Sequence, residues 1–237
     1  MTRMTIGGAA TVAAAVVATL AWGGLAGAGH AAVTLPVPAL DGPTAGGEET
    51  VVFSGGCFWG VQAVFEHVKG VIRATAGYAG GAAGGATYDQ VSSGGTGHAE
   101  SVHVVYDPSQ VSFGRLLQVF FSVAHDPTQL NRQGPDVGPQ YRSAIWYTTD
   151  AQRREARAYI DQLTEARTFS RPIVTELNEL SGFYPAEEYH QDYLFSHRRQ
   201  PYIVINDLPK LKRLERELPD LWRDQPVRWH AGEPASR

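Results

Sequence analysis

Apolar positions in the chain change period several times between residues 49 and 222, and each change marks an element. The run "ETVVFSGG", Glu49 to Gly56, is β-branched and halted by two glycines, which predicts a strand ending in a tight turn. From Phe58 onward the apolar residues Phe58, Val61, Val64, Phe65 and Val68 recur at three and four, the signature of one helical face. "VIRATAGYAGG" reads as a strand entering a glycine-rich loop that reaches Thr96. In "AESVHVVYDP" the alternation of Val102, Val104 and Tyr106 predicts a strand stopped by Asp107-Pro108. "SFGRLLQVFFSVA" is an amphipathic helix with Ser112 as its N-cap. A long Gly/Pro-containing polar loop follows, Asp126 to Tyr141, and loops of that length in compact domains are usually functional. "RSAIWYTT" is a strand, "DAQRREARAYIDQLTEA" a helix opened by Asp150, and "PIVTEL" a further strand. "AEEYHQDYLFSH" and "LPKLKRLERELPDLW" read as helical. Strands and helices mix without a regular βαβ rhythm, so the class is α+β with a mixed, mostly antiparallel sheet.

The ends differ from this middle. Residues 1–32 carry one cation, Arg3, then an uncharged Ala/Val/Gly run closing on small residues, Ala26-Gly27-Ala28 and Ala32. That is the pattern of a secretory signal peptide. Its Ala and Gly content keeps it weakly hydrophobic, which favours cleavage over retention as a membrane anchor. The expected location is therefore periplasmic or extracellular. Residues 33–48, rich in Pro and Gly, read as a linker, and 223–237 as a flexible tail, leaving one domain over 49–222. With 20 basic and 24 acidic residues and no basic block, nothing favours nucleic acid as a partner, and a monomer is expected.

Chemistry concentrates at "SGGCFWG". Cys57 is the only cysteine of the 237 residues, placed after a strand and at the start of a helix. Thiolates are favoured there by free backbone N–H groups and the helix dipole. A lone cysteine is equally often a small buried hydrophobe, so position alone leaves both roles open. Phe58 and Trp59 could pack in the core or border a pocket beside the thiol. Glu100, in "TGHAES", becomes a proton donor only if an apolar site raises its pKa. His98 and His103 lie close to it in sequence, yet no paired ligand spacing supports a metal site. Asp136, Tyr141 and Tyr88 sit at loop junctions, where each singly reads as structural or as a hydrogen-bonding group.

Together, "GGCFWG", "GYAGG…TY", "TGHAE", "YDP", "HDPTQLNRQGPDVGPQYRSAI" and "YPAEEYHQDYL" resemble, in the same order, the A-type peptide-methionine sulfoxide reductases, from about Val51 to Pro209. The resemblance implies a ferredoxin-like two-layer sandwich and reduction of the S epimer of methionine sulfoxide, free or in proteins. It implies Cys57 as the nucleophile, Phe58 and Trp59 as the cage for the substrate methyl, and Glu100 as the acid at the sulfoxide oxygen. Tyr88 and Tyr141 become further donors there, and Asp136 a residue orienting substrate. No bound cofactor is implied. The chain departs from many relatives at Ile203, where a "PYC" motif would carry a resolving cysteine. A sulfenic acid on Cys57 would then need an external thiol, a thioredoxin-like protein in vivo or dithiothreitol in vitro. Pro139 replaces the usual Thr or Ser of "GTQYRS", so a local change is expected in the Asp136/Tyr141 loop. Two other readings compete: a cysteine hydrolase using His98 or His190, and a non-catalytic redox sensor.

Overall fold

A computed structural model describes Met1, residues 35–42 and residues 46–230. The expected signal peptide, 1–32, lies outside the described residues apart from Met1. Strand β1 (Glu49–Gly55) leads into helix α1 (Phe58–Glu66), which returns to β2 (Val71–Ala79). A loop containing the short helix α2 (Tyr88–Ser92) precedes β3 (Ala99–Tyr106). Helix α3 (Phe113–Val119) ends in a π-helical turn, Phe120–Ala124, and a small hairpin of β4 (Arg132–Gln133) and β5 (Asp136–Val137) leads through a 3₁₀ turn, Pro139–Tyr141, to β6 (Ser143–Tyr147). Then come α4 (Asp150–Glu165), β7 (Glu176–Glu179), β8 (Phe183–Pro185), a 3₁₀ turn Glu188–His190 and α5 (Tyr193–Ser196). A second π-helical turn, Ile203–Asp207, runs into α6 (Leu208–Glu217).

The six-stranded sheet has the order β7-β6-β1-β3-β2-β8. Every neighbouring pair in it is antiparallel except β6–β7. Its four central strands, joined by α1 and α3, form the ferredoxin-like arrangement, with β7 and β8 added at the edges. Because successive side chains of a strand face opposite sides, β1 sends Val51 and Phe53 into the main core and Val52 into a smaller cluster with Ala144 and Trp146. Phe53 stacks between Phe65 of α1 and Phe120, with centroids 4.9 and 4.7 Å away. This pins α1 and the end of α3 to the strand that precedes Cys57.

Several expectations are corrected. The expected linker is docked along 35–42. Leu35 is buried and its carbonyl accepts from Gln118 Nε2 at 2.7 Å, while the Pro36 carbonyl accepts from the Tyr159 hydroxyl at 2.8 Å. Asp41 accepts from the Ser112 hydroxyl and the Gly114 N–H at the start of α3. Proline fixes extended backbone here and leaves carbonyls free to accept, so Pro content marks a strap and not a spacer. The tail is likewise tied to the domain through residue 229, while 231–237 lie outside the described residues. Arg223 N–H donates to His67 O at 2.8 Å, Val227 N–H to Glu66 O at 3.0 Å, and Arg228 pairs with Asp192 at 2.8 Å. Thr149, not Asp150, caps α4 by accepting from Gln152 N–H. The expected helix over 186–197 breaks into two short turns, because Asp192 sits at φ +54. Among the described residues no helix is long and apolar enough to cross a membrane.

Candidate active site

Gly56 turns the chain out of β1 at φ +87, and a Cβ there would lie 2.5 Å from Gln133 of the β4–β5 hairpin. Only glycine suits both demands. The turn makes Cys57 the N-cap of α1 and leaves it only 8% exposed. This burial works against the stabilisation that a helix N-terminus offers a thiolate. Desolvation pushes the Cys57 thiol well above its ordinary range, and the carboxyl groups of Glu100 and Asp207 push the same way. The Trp59 backbone N–H and Lys210 oppose this without reversing it. Cys57 therefore rests as a thiol.

Glu100 projects from β3 toward α1, and the Phe58 N–H donates to its Oε2 at 3.0 Å. It is 2% exposed, and burial pushes its carboxyl up to about 8, with the charges of Asp136 and Asp207 adding to that. The Phe58 N–H opposes the rise but does not overcome it. At neutral pH Glu100 is mostly a carboxylic acid, the proton-donating form that the sequence could only make conditional. His103, three residues along the same strand, faces the opposite side of the sheet and packs on Phe183. His98 is engaged by loop backbone, accepting from Gly81 N–H at 3.2 Å with its other nitrogen 3.0 Å from Ala82 O. Among the described residues no group of three His, Cys, Asp or Glu is placed to hold a metal ion.

Tyr88, Tyr141 and Asp136 come together with these two groups. Both tyrosines are half-buried, and desolvation, then the charges of Glu100 and others including Cys57, raise them above their ordinary value, so each is held as an O–H donor. Tyr88 is fixed by Glu187, whose carboxylate accepts from Tyr88 N–H and from the Tyr78 hydroxyl, both at 2.9 Å. Tyr141 ends the 3₁₀ turn that Pro139 opens, a position where the missing proline N–H is not needed. Gln140 anchors the turn to Ser92 O at 3.0 Å. Asp136 accepts from the Tyr202 hydroxyl, and burial raises its carboxyl.

The two aromatics after the thiol divide their tasks. Phe58 is 1% exposed and packs on Tyr78 and His190 at 5.9 and 5.2 Å. Trp59 is partly exposed, stacks face to face on Tyr193 at 3.8 Å and meets the edge of Tyr202 at 5.9 Å. Its indole N–H donates to His190 Nδ1 at 3.1 Å, which leaves the proton of a neutral His190 on Nε2. Burial lowers His190, so neutral is its form at pH 7. With Nδ1 committed to an indole, His190 is part of an aromatic wall and not a base for the thiol. Tyr202, Glu187 and the Asp207–Lys210 pair are site residues that sequence reasoning does not single out, whereas Tyr193 reads from sequence as a structural or hydrogen-bonding tyrosine and proves to be the stacking partner of Trp59. Their partners lie far away in the chain, and only the "YHQDY" spacing hints at His190 and Tyr193.

A thiol, a neutral buried acid and two phenols gather beside an aromatic wall, and the chain as a whole is similar to known proteins. The sequence profile described as peptide methionine sulfoxide reductase matches residues 49–221. Peptide methionine sulfoxide reductase MsrA 2 of Mesorhizobium japonicum is 56% identical over 188 residues, covering 79% of this chain and 96% of its own length. MsrA 2 of Synechocystis is 52% identical over 195 residues, covering 81% and 91%. Among solved structures, methionine sulfoxide reductase A of Corynebacterium diphtheriae superposes with a TM-score of 0.58 at 35% identity, over 69% of this chain and 90% of that one. Reduced Mxr1 of Saccharomyces cerevisiae does so with a TM-score of 0.60 at 30% identity, over 65% and 87%. On the match over 49–221 and on relatives aligned nearly end to end, the chain belongs to the peptide methionine sulfoxide reductase family.

Proposed function

We propose that this member of the family reduces the S epimer of methionine sulfoxide, free or within exported proteins, to methionine, with Cys57 as nucleophile. The observation that carries the proposal is a neutral Glu100 buried against the helix start that bears the thiol. A sulfoxide whose methyl lies against Phe58 and Trp59 would present its sulfur to Cys57 Sγ and its oxygen to Glu100, Tyr88 and Tyr141. As sulfur attacks sulfur, negative charge builds on that oxygen, and donors placed there stabilise the transition state more than the ground state. The Cys57 S–H proton and the Glu100 proton reach the oxygen, which departs as water and leaves Cys57 bonded to a sulfonium. Water then attacks Cys57 Sγ, releasing the thioether, and one proton returns to Glu100. Overall, thiol and sulfoxide become sulfenic acid and thioether, so Cys57 is oxidised and the substrate reduced.

Restoring the thiol needs two further sulfurs from outside. A first external thiol condenses with the sulfenic acid, expelling water and forming a mixed disulfide, and a second displaces Cys57. A thioredoxin-like protein fits both steps, and no bound cofactor takes part. The residue at the "PYC" position, Ile203, is fully buried and carries no sulfur.

The test is turnover of separate S and R epimers of N-acetylmethionine sulfoxide with dithiothreitol, for wild type and Cys57→Ser. Reduction of the S epimer alone, abolished by the substitution, is expected. Well-folded wild type that reduces neither epimer would sink the proposal.

A further inference from the structure

Asp207 closes the second π-helical turn, far along the chain from Cys57 and Glu100, yet lies against the first turn of α1. It is 0% exposed, and its Oδ1 accepts from Lys210 Nζ at 3.1 Å, while Oδ2 is buried without a hydrogen-bond partner. A Cβ on Gly60 would collide with Asp207 Oδ1 and lie 2.9 Å from Lys210 Nζ. Gly60 is three residues beyond Cys57 in the same helical turn. The absence of a side chain there lets a buried ion pair press directly on the backbone that carries the thiol. Replacing a buried ion pair with apolar residues is often neutral or stabilising, so fold stability alone gives little reason for one at this place.

We propose that the Asp207–Lys210 pair is a positioning element that tunes the protonation of Cys57, and so the pH at which the thiol turns nucleophilic. The role rests on Cys57 being the nucleophile proposed above. The two ends of the pair act on the thiol with opposite sign. Asp207 disfavours the thiolate and Lys210 favours it. In a water-poor site the two effects need not cancel, because they are set by unequal distances and weakly screened. The other charged and titratable groups in electrostatic contact with the thiol are Glu100 from β3, Tyr88 from α2, Tyr141 from its 3₁₀ turn, and Tyr202 ahead of the π-helical turn. Asp207 itself is in reach of Lys210 and of Asp136 from β5, and acts on Glu100 and Tyr202. Lys210 also reaches Asp136 and His125. Substrate or reductant that displaced Lys210 from Asp207 would change the thiolate fraction without touching Cys57.

The experiment is the rate of iodoacetamide alkylation of Cys57 in the full chain as a function of pH, read by mass spectrometry. Asp207→Asn removes the end that suppresses the thiolate and should raise the rate at pH 8; Lys210→Met removes the end that favours it and should lower the rate. A midpoint shift of about one pH unit gives about a threefold rate change, because intrinsic nucleophilicity falls as the thiol becomes more acidic. Local unfolding would expose Cys57 and accelerate both variants, so opposite signs separate electrostatic control from damage. If Asp207→Asn does not fold, slowing in Lys210→Met alone still supports the role, since damage works the other way. Equal rates, or both variants faster, overturn it. Alkylation needs no sulfoxide. Opposite signs in a protein that leaves both epimers untouched would therefore uphold the control of the thiol while removing the proposed reaction.

Discussion

Replacing Glu100 by glutamine should stop the enzyme and stabilise the fold at neutral pH, both for one reason. The ordinary glutamate value is 4.5 and burial lifts Glu100 to about 8. Below 4.5 folded and unfolded chains both hold the proton, and burial of this group carries no pH-dependent penalty. Between the two values only the folded protein holds it, so stability falls by about 1.4 kcal/mol for each pH unit. By pH 7 the loss is about 3 kcal/mol, and it is complete above the folded value. The amide in Glu100→Gln cannot ionise, so the variant escapes the loss, while its side-chain carbonyl still accepts from Phe58 N–H. Its amide protons lack a built partner, a fixed penalty of about 1–2 kcal/mol that does not vary with pH. The assay is thermal unfolding of both proteins by circular dichroism at pH 5 and pH 8. A domain of this size moves about 2–4 °C per kcal/mol. The Tm of Glu100→Gln minus that of wild type should therefore rise by roughly 8–16 °C between the two pH values, since about 4 kcal/mol of the loss accrues in that interval. Other buried acids titrate in both proteins and cancel in the difference. A Tm gap that stays constant from pH 5 to pH 8 would refute the neutral Glu100, and with it the proton donor of the proposed reaction. In turnover, kcat of wild type should lose its Glu100-dependent part as pH rises through about 8.

Three further outcomes follow from the same geometry. Tyr88→Phe and Tyr141→Phe should each lower kcat about tenfold, since the other phenol and Glu100 still serve the oxygen, whereas the double variant should lose about 10²–10³, as measured by steady-state turnover. Trp59→Phe removes the donor to His190 and most of the Tyr193 stack. It should raise KM for the S epimer several-fold while leaving the dithiothreitol dependence of turnover intact. Phe53→Ala empties the stack between Phe65 and Phe120 and should cost about 3–5 kcal/mol in chemical denaturation, more than either tyrosine substitution.

Much of the fold is legible where local pattern and tertiary role coincide. Val102, Val104 and Tyr106 alternate because one face of β3 packs on the helices, and Phe58 to Phe65 follow the helical period because α1 lies on that face. The signal fails where the tertiary context decides. β8 is three residues long and ends in Pro185, an edge strand too short to show alternation. Asp192 breaks the 186–197 stretch through a left-handed backbone conformation that apolar spacing cannot reveal. At the site, Cys57, Glu100, Tyr88, Tyr141 and Asp136 are reached through motif resemblance. The state of the first two is not: desolvation makes the cysteine a thiol and the glutamate an acid, and desolvation is a property of the folded surroundings. Tyr202 and Asp207 are invisible because nothing in "PYIVIND" ties that stretch to the distant "GGCFWG" motif.

In the proposed cycle, Ile203, sealed in the core where a "PYC" motif would hold a second sulfur, makes the oxidised half bimolecular. A resolving thiol on the same chain would act at an effective concentration in the millimolar range, whatever the surroundings. With one cysteine in 237 residues, the lifetime of the proposed sulfenic acid would instead track the concentration of whichever thiol visits it. The velocity becomes a gauge of reductant supply. If that supply lapsed, each enzyme molecule would halt one oxidation step short of the irreversible sulfinic acid, and the near-complete burial of Cys57 would decide how long it could wait.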